Sequence, residues 1–244
     1  MARTVRVFVP ELVGGERLLD DAASRYLLRV HRLGAGDRFI AFDPDAALQA
    51  EGNVVAARGR RALCRFGEPG PASHVPGFEV TLLQGLGKGD RFDRVVRDAT
   101  ALGVRSVIAV ETARSMVDLG DRAAARRERW RTIAVEAARQ SGRGDAPRIE
   151  GPLRLGEALG ARADALRLVL DPEASASLAV RLQDWSPAQP LVLLVGPEGG
   201  LSPEELAEAL AAGFSPARFG EFVLRTETAA TAVLGAVVAR LEPA

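Results

Sequence analysis

Two polar stretches in the last third of the chain combine glycine, carboxylate and arginine residues in an order typical of ligand-binding loops. GPEGG at residues 196–200 follows an apolar run, and RTET at residues 225–228 precedes an Ala/Val/Leu-rich segment. Glycine lets a ligand approach the backbone closely, and the Glu198 carboxylate could accept hydrogen bonds from ribose hydroxyls or an amine. Backbone N–H groups at the start of a helix are free to bind a ligand. The two stretches predict a ligand pocket at the edge of an α/β sheet.

A third segment, GLGKGD at residues 85–90, also lies between a predicted strand and a predicted helix. It lacks the Lys-Ser/Thr pair of a P-loop and the last glycine of the dinucleotide fingerprint. A helix-entry turn is therefore the favoured interpretation. Lys88 and Arg91 could still contact a phosphate at the start of the helix.

The elements that would position these loops alternate between strands and helices. The apolar pattern predicts strands at residues 78–84, 106–111, 166–171, 191–195 and 219–224, and helices at residues 91–102, 122–140, 153–159, 174–182 and from residue 202. Serine, proline and glutamate at residues 202–205 are an N-cap, a first-turn proline and a capping-box residue. Apolar strands that alternate with helices indicate a largely parallel sheet.

The first part of the chain has a different pattern. Residues 4–9 alternate as a strand, residues 20–33 have helical spacing, and strand-and-turn patterns follow from residue 38. This predicts a small, mostly β unit. The proline- and glycine-rich link at residues 67–77 is the best candidate for a domain boundary.

Composition limits the classes of protein that the chain can be. Its 244 residues carry 32 basic and 32 acidic side chains, so it is not a generally basic nucleic-acid-coating protein. Arginine clusters nevertheless favour a polyanionic partner. No apolar run is long enough for a bilayer span, no signal peptide is evident, and Cys64 is the only cysteine. These features predict a cytoplasmic protein with no membrane anchor, and no His/Cys/Asp cluster has the spacing of a metal site.

Several motifs in this order identify a resemblance that covers nearly the whole chain. The chain resembles the bacterial enzymes of the SPOUT superfamily that methylate N3 of a uridine in 16S ribosomal RNA of the small subunit, using S-adenosyl-L-methionine. The resemblance lies in KGDRFDRVVRDATALGV, EAARQSGR, LLVGPEGGLSPEE and LRTETAATA. The first part, with RVFVPE and YLLRVHRLGAGD, is similar to the PUA-like RNA-binding domain of that family.

The resemblance implies an α/β fold with two domains. A PUA-like β-barrel RNA-binding domain is expected at residues 1–73 and a SPOUT methyltransferase domain at residues 74–244, with a deep trefoil knot, a homodimer and the small ribosomal subunit as partner. Topology rules alone would favour an unknotted, Rossmann-like sheet. Three positions depart from the family pattern, namely Ala101, Arg139 and His31, so no role is carried over to them.

The resemblance also implies site residues at matching motif positions. The expected cofactor-binding residues are Leu170, Leu194, Gly196, Glu198, Gly199, Gly200, Gly220, Leu224, Thr226 and Thr228. The expected RNA-binding residues are Arg6, Arg29, Arg32, Lys88, Arg91 and Arg114.

Uridine N3 must lose a proton when it attacks a methyl group. A general base could take the proton, or a fixed positive charge could stabilise the developing uracil anion. The catalytic candidates are Arg143, Arg225 and Glu227. An arginine at the uracil carbonyls, either Arg143 or Arg225, is favoured because its charge is constant near neutral pH. Glu198 and Glu227 are expected mainly to fix loop or cofactor geometry.

Other functions remain open on the sequence alone. The chain could be a methyltransferase for another RNA such as tRNA, or an RNA-binding assembly factor without catalysis. A dinucleotide-dependent oxidoreductase is disfavoured because the glycine fingerprint is missing.

Overall fold

The computed structural model describes residues 4–115, 120–160, 162 and 164–241, and these form two compact units. The first unit comprises the chain up to Val75 together with Val135–Ala146. The second unit comprises Pro76–Ala134 and the chain from Pro147 onwards. The domain ranges expected from the sequence remain a prediction.

The secondary structure contains both strands and helices throughout the described residues. The strands are β1 Arg6–Phe8, β2 Gly15–Leu18, β3 Arg38–Asp43, β4 Leu48–Arg58, β5 Arg61–Phe66, β6 Gly70–Pro71, β7 Val80–Gly85, β8 Ser106–Glu111, β9 Arg148–Arg154, β10 Leu166–Leu170, β11 Leu191–Val195 and β12 Ser215–Ala217. The helices are α1 Asp21–Arg25, α2 Arg91–Ala101, α3 Ala123–Ser141, α4 Leu155–Leu159, α5 Leu178–Arg181, α6 Pro203–Ala211 and α7 Thr226–Leu241.

The first unit is built on a mostly antiparallel sheet with the order β1-β3-β4-β5-β2, and β6 pairs with β4. Only the β1–β3 pair is parallel. Phe39, Leu27 and Cys64 are fully buried in its core. The mostly β unit predicted from the sequence is confirmed.

The helix predicted at residues 20–33 is shorter and less regular than expected. Asp20 caps α1 by accepting a hydrogen bond of 2.7 Å from the Ala23 amide. The chain then widens into a π-helical turn at Tyr26–Val30. The helical spacing of apolar residues does not distinguish an α turn from the wider turn, because both keep the same side chains near the core.

The last turns of α3 and the segment that follows it, Val135–Ala146, belong to the first unit. Arg6 donates to the Arg143 carbonyl oxygen at 3.2 Å, and the Gly144 amide donates to the His74 carbonyl oxygen at 3.3 Å. Arg139 contacts Tyr26 through its ring face and its hydroxyl. Arg143 is therefore part of the first unit.

The second unit has a six-stranded sheet in which every pair is parallel, with the order β12-β10-β11-β7-β8-β9. All residues of β11 are buried because helices cover both faces of the sheet. The predicted parallel α/β sheet is confirmed. A parallel arrangement brings the carboxyl ends of β10, β11 and β7 to one edge, from which the loops of interest leave.

Three predictions about local structure in the second unit are wrong. Residues 219–224 form a loop, and the strand in this region is the preceding Ser215–Ala217. Residues 153 and 154 belong to β9 and only Leu155–Leu159 is helical, while the helix predicted at residues 174–182 is limited to Leu178–Arg181. Short apolar runs carry too little periodicity to separate these outcomes.

No helix among the described residues is both long and apolar enough to cross a bilayer.

Candidate functional site

A cavity of about 670 Å³ lies in the second unit, where β10 and β11 end. Its walls are the loop after β11, the loop before α7 and the segment that follows β10. The lining residues are Arg91, Arg114, Leu170, Asp171, Pro172, Val195, Gly196, Pro197, Glu198, Gly200, Leu201, Leu206, Ala217, Arg218, Phe219, Gly220, Glu221, Phe222, Val223, Leu224, Arg225, Thr226 and Ala229. This volume is in the range of small-molecule and cofactor sites.

Residues 196–200, called loop 1 below, fold back tightly after β11. The Gly200 amide donates to the Pro197 carbonyl oxygen at 2.9 Å, and Gly200 has φ +69°. A Cβ atom at Gly196 would lie 3.1 Å from the backbone of Gly200 and Leu201. The capping box of α6, formed by Ser202 and Glu205, then begins the helix as predicted. Any side chain at residue 196 would thus crowd the returning backbone, and glycine avoids this contact.

Glu198 fixes loop 1 to the segment between β7 and α2. Its carboxylate accepts a hydrogen bond of 3.0 Å from the Lys88 amide and forms an ion pair with Arg91. A Cβ at Gly87 would lie only 2.8 Å from the carboxylate. Burial acts to raise the pKa of Glu198, but hydrogen bonds from its own amide, the Lys88 amide and Arg91 outweigh it, so the pKa is lowered. Glu198 is therefore held as an anion.

Arg114 fixes the other side of loop 1. Its guanidinium donates to the carbonyl oxygens of Gly199 at 2.8 Å and Leu201 at 3.2 Å. The neighbouring Ala113 amide donates to Glu205 at 2.6 Å. The segment after β8 thus binds both loop 1 and the start of α6.

Residues 219–225, called loop 2 below, form the opposite wall. Gly220 has φ +73°, which favours glycine, and the side chains of Phe222 and Val223 are 82% and 80% exposed. Arg225 is exposed and lines the cavity, and no ion pair or side-chain hydrogen bond joins its guanidinium to another described residue. Thr226 begins α7 and donates its hydroxyl to the Gly196 carbonyl oxygen at 2.6 Å, so it connects loop 2 to loop 1.

Glu227 is the second acidic residue near the cavity, although it does not line it. Its Oε1 lies 3.8 Å from Nε of Arg91, and its side chain is 13% exposed. Its Oε2 is buried and has no hydrogen-bond partner among the described residues. Arg91 consequently lies between the carboxylates of Glu198 and Glu227.

Arg143 has a different environment from Arg225. Its guanidinium donates to both carboxylate oxygens of Asp145, at 2.6 and 3.1 Å, and both side chains are buried. It lies in the first unit and is not among the residues that line the cavity. The structure therefore separates the two arginine candidates by environment.

The structure places the expected cofactor residues in two groups. Those that line the cavity are Leu170, Gly196, Glu198, Gly200, Gly220, Leu224 and Thr226. Leu194 is fully buried in β11, whereas Gly199 packs against Arg114 and Thr228 is exposed on α7.

The residues expected to bind RNA also fall into distinct environments. Arg29 and Arg32 are exposed in the first unit, where Arg6 is half-buried over the Phe42 ring at 4.8 Å. In the second unit the Lys88 side chain is exposed, but Arg91 and Arg114 line the cavity and are engaged with loop 1.

Sequence reasoning missed several residues of the site. Asp171 and Arg218 follow the ends of β10 and β12, Leu201 lies just before the N-cap of α6, and Leu206 lies in its first turns. The signal for Asp171 was available, because it ends an apolar strand that is parallel to β11. Arg218 could not be found in this way because the short, proline-containing β12 was not recognised as a strand.

Comparison with known proteins gives the family. A family model for an RNA methyltransferase domain matches residues 74–238. The ribosomal RNA small subunit methyltransferase E of Synechocystis is 33% identical over 254 residues, which cover 99% of this chain and 79% of that protein. The Mycobacterium tuberculosis protein of the same name is 39% identical over 168 residues, covering 65% of this chain and 62% of that protein.

Solved structures agree over almost the full length. A ribosomal RNA small subunit methyltransferase E from Neisseria gonorrhoeae, bound to S-adenosyl methionine, superposes with TM-score 0.87 at 28% identity, covering 98% of both chains. A putative methyltransferase from Legionella pneumophila, in complex with the same cofactor, gives TM-score 0.87, 28% identity and 98% coverage of both chains. The family expected from the sequence is confirmed: the chain belongs to the RNA methyltransferases that include the ribosomal RNA small subunit methyltransferase E proteins.

Proposed function

We propose that this protein transfers a methyl group from S-adenosyl-L-methionine to N3 of one uridine in 16S ribosomal RNA of the small subunit. The observation that carries the proposal is the cavity between loop 1 and loop 2, with Arg225 on its wall and no described residue paired with its guanidinium. Relatives of the same name, and similar structures that hold the cofactor, support it.

The lining of the cavity fits this cofactor. An adenine ring needs apolar contacts, which Leu170, Leu201 and Leu206 offer. Ribose hydroxyls and an ammonium group need acceptors, which the carboxylates of Asp171 and Glu221 offer among the lining residues. The glycines of the two loops leave backbone groups accessible. When bound, S-adenosylmethionine supplies an electrophilic methyl group and leaves as the neutral thioether.

Arg225 is the residue we assign to the uracil. The N3 proton must pass to water or to a carboxylate before or as the nitrogen attacks the methyl group, and the negative charge that develops is shared with the uracil carbonyl oxygens until the methyl group is transferred. A guanidinium with free N–H donors stabilises that charge without needing a protonation change. Arg225 meets this condition, whereas Arg143 already uses its donors on the buried Asp145.

Glu198 and Glu227 are assigned to geometry. Glu198 is held ionised by Lys88 and Arg91, and its lowered pKa makes it a weak proton acceptor near neutral pH. Glu227 lies beside Arg91 at the start of α7, where a carboxylate also stabilises the helix N-terminus. Glu227 is kept as the alternative proton acceptor, because its Oε2 is buried and has no hydrogen-bond partner among the described residues.

RNA would be held by exposed basic side chains. Arg29, Arg32 and Lys88 have exposed side chains, so they are our principal candidates for phosphate contacts. Arg91 and Arg114 already bind loop 1, so we assign them primarily to the cofactor site. The first unit would then act as a PUA-like RNA-binding domain and the second as a SPOUT-type trefoil knot, in a cytoplasmic protein.

A homodimer completes the proposal. Val180 of α5 is 60% exposed, and residues of the same helix, Leu178 and Ala179, line a second cavity of about 490 Å³ together with Ala236 of α7. Phe222 and Val223 on loop 2 are also exposed, and we propose that another copy of the chain covers these apolar side chains. Light scattering of the purified protein tests this, and a monomer at micromolar concentration would contradict it.

The test of the function is methyl transfer from labelled cofactor to small ribosomal subunits that lack the modification. Wild-type protein should label the subunit, and Arg225→Ala should lower kcat about a hundredfold while the cofactor Kd stays constant. An Arg225→Ala variant with wild-type kcat would overturn the assignment. Absence of labelling, with cofactor bound, would favour another RNA as substrate. Absence of cofactor binding by the folded protein would favour a non-catalytic RNA-binding role.

A further inference from the structure

Gln84 is a buried polar residue that neither the sequence patterns nor the proposed mechanism explains. It lies near the end of β7, paired with Val195 of β11 and Ala109 of β8, and it is 1% exposed. The preceding residues Leu82 and Leu83 are fully buried and apolar. An apolar side chain would satisfy the packing at this position, so the amide must be explained by its hydrogen bonds.

Those hydrogen bonds reach both walls of the cavity. Nε2 of Gln84 lies 2.8 Å from the Thr226 hydroxyl, 3.1 Å from the Gly85 carbonyl oxygen and 3.5 Å from the Gly196 carbonyl oxygen. The Thr226 hydroxyl in turn donates to the Gly196 carbonyl oxygen at 2.6 Å. Gln84 is therefore linked to Gly196 mainly through the Thr226 hydroxyl, with a longer direct contact from Nε2 beside it.

The backbone around Gln84 brings the same segments together. A Cβ at Gly85 would lie 2.5 Å from the Pro197 nitrogen, so β7 and loop 1 are in direct backbone contact. Thr226 is 5% exposed, and these bonds are consequently shielded from water. Oε1 of Gln84 is buried and has no hydrogen-bond partner among the described residues. The free energy that its desolvation costs must be offset by the three contacts of Nε2.

We propose that Gln84 is a positioning residue that sets the spacing between loop 1 and the start of α7, and hence the width of the cofactor cavity. It acts through the Thr226 hydroxyl and does not line the cavity itself. Thr226 and Gly196 are both wall residues, so a change in their separation changes the cavity directly. The expected effect of Gln84 on cofactor affinity rests on the proposed function. Its hydrogen-bonded link between loop 1 and α7 is independent of that function.

The first measurement is therefore independent of the cofactor. Hydrogen–deuterium exchange of the cofactor-free protein should become faster in loop 1 and in the first turn of α7 when Gln84→Met removes the amide. Thr226→Ser keeps the hydroxyl and should retain slow exchange at both places. Val104→Ala removes buried apolar volume at the turn between α2 and β8, and it is the control for general loss of stability. Unchanged exchange in Gln84→Met, or equal acceleration in Val104→Ala, would overturn the proposal.

The second measurement is a double-mutant cycle on cofactor affinity by calorimetry. Gln84→Met and Thr226→Val should each raise the Kd for S-adenosylmethionine about tenfold, the factor that corresponds to roughly one hydrogen bond. The double variant should be no more than slightly weaker than either single variant, because both changes remove the same link. Multiplicative effects would show that the residues act separately and would contradict the proposal.

Steady-state kinetics distinguishes a specific effect on the cofactor cavity from a general loss of activity. Gln84→Met should raise KM for the cofactor while KM for the RNA substrate stays at the wild-type value. If wild-type protein binds no S-adenosylmethionine, the proposed function fails, and the exchange experiment still decides whether Gln84 couples the loops.

Discussion

The guanidinium of Arg114 donates to the Gly199 carbonyl oxygen at 2.8 Å, and a Cβ on Gly199 would lie 3.1 Å from the Arg114 Cβ. The arginine therefore both packs on loop 1 and holds its backbone, and any side chain at residue 199 would crowd the arginine. The segment after β8 thereby becomes part of the candidate cofactor site.

Replacing Arg114 should loosen loop 1. We expect Arg114→Ala to raise the cofactor Kd about tenfold, because two carbonyl oxygens of the loop lose a charged donor. Calorimetry measures this, with Arg127→Ala on the exposed side of α3 as the matched control. An unchanged Kd for Arg114→Ala would argue that the arginine serves RNA binding alone.

The ionised Glu198 carboxylate should make the free energy of unfolding decrease at acidic pH. Its pKa in the folded protein lies below the ordinary value of 4.5, because the hydrogen bonds to its anion outweigh burial. The carboxylate therefore contributes stability above pH 4.5, and this contribution is lost as the pH falls through the lowered pKa. Urea unfolding should show Glu198→Gln less stable than wild type at neutral pH, with the difference shrinking in acid. A constant difference would contradict this, and Glu221→Gln, on the exposed part of loop 2, is the control.

Replacing Arg143 should lower the stability of the protein, whereas replacing Arg225 should not. Arg143→Ala removes the guanidinium that pairs with the buried Asp145 carboxylate, so we expect a loss of about 3–5 kcal/mol in the free energy of unfolding. Arg225→Ala removes an exposed side chain and should leave that free energy within about 0.5 kcal/mol of wild type. Denaturant titrations of both variants measure the two values. An Arg143→Ala protein of wild-type stability but without activity would return Arg143 to the catalytic site.

RNA binding should depend strongly on salt. Each phosphate contact contributes roughly 0.7–0.9 to the slope of log K against log salt concentration. Arg29→Ala, Arg32→Ala and Lys88→Ala should each reduce the slope by about that amount, while Arg148→Ala on the edge strand β9 should not. Fluorescence anisotropy with a small-subunit RNA fragment gives the slopes. An affinity that hardly changes with salt would remove the electrostatic argument.

Cys64 should be unreactive in the folded protein. It is fully buried in the first unit, and burial raises the pKa of its thiol to about 11. The native state thus favours the thiol, so this contribution to stability is present below pH 9.0 and is lost as the pH rises towards 11. Mass spectrometry after iodoacetamide treatment at pH 8 should find Cys64 modified only when the protein is unfolded. Alkylation of Cys64 in the folded protein would contradict the buried position of its thiol.

Central strands were predictable from the sequence, and edge strands were not. Leu191–Val195 is apolar because both faces of β11 are covered, and such a run is recognisable without any partner. β9 and β12 lie at the two edges of the sheet, where one face can be polar and a proline such as Pro216 is tolerated. Residues 219–224 were mistaken for a strand because the sequence does not show that Phe222 and Val223 are exposed.

The two loops of the site were also visible in the sequence, but their connections were not. Glu198 could be named as a candidate from the GPEGG motif alone. Its partners Lys88 and Arg91 are more than 100 residues away along the chain, so the pairing depends on the fold. Gln84 gave only a weak signal, a polar residue at the end of an apolar strand. Its role follows from distances to Thr226 and Gly196 that no spacing rule supplies.

The most direct test of the central claim is to map the modification that the protein installs. Small subunits lacking the modification would be incubated with the protein and the cofactor, and the RNA would be digested and analysed by mass spectrometry. The account predicts one additional methyl group, on the base of a single uridine at N3, and its absence with Arg225→Ala. A methyl group on a ribose, on another base or on tRNA would contradict it.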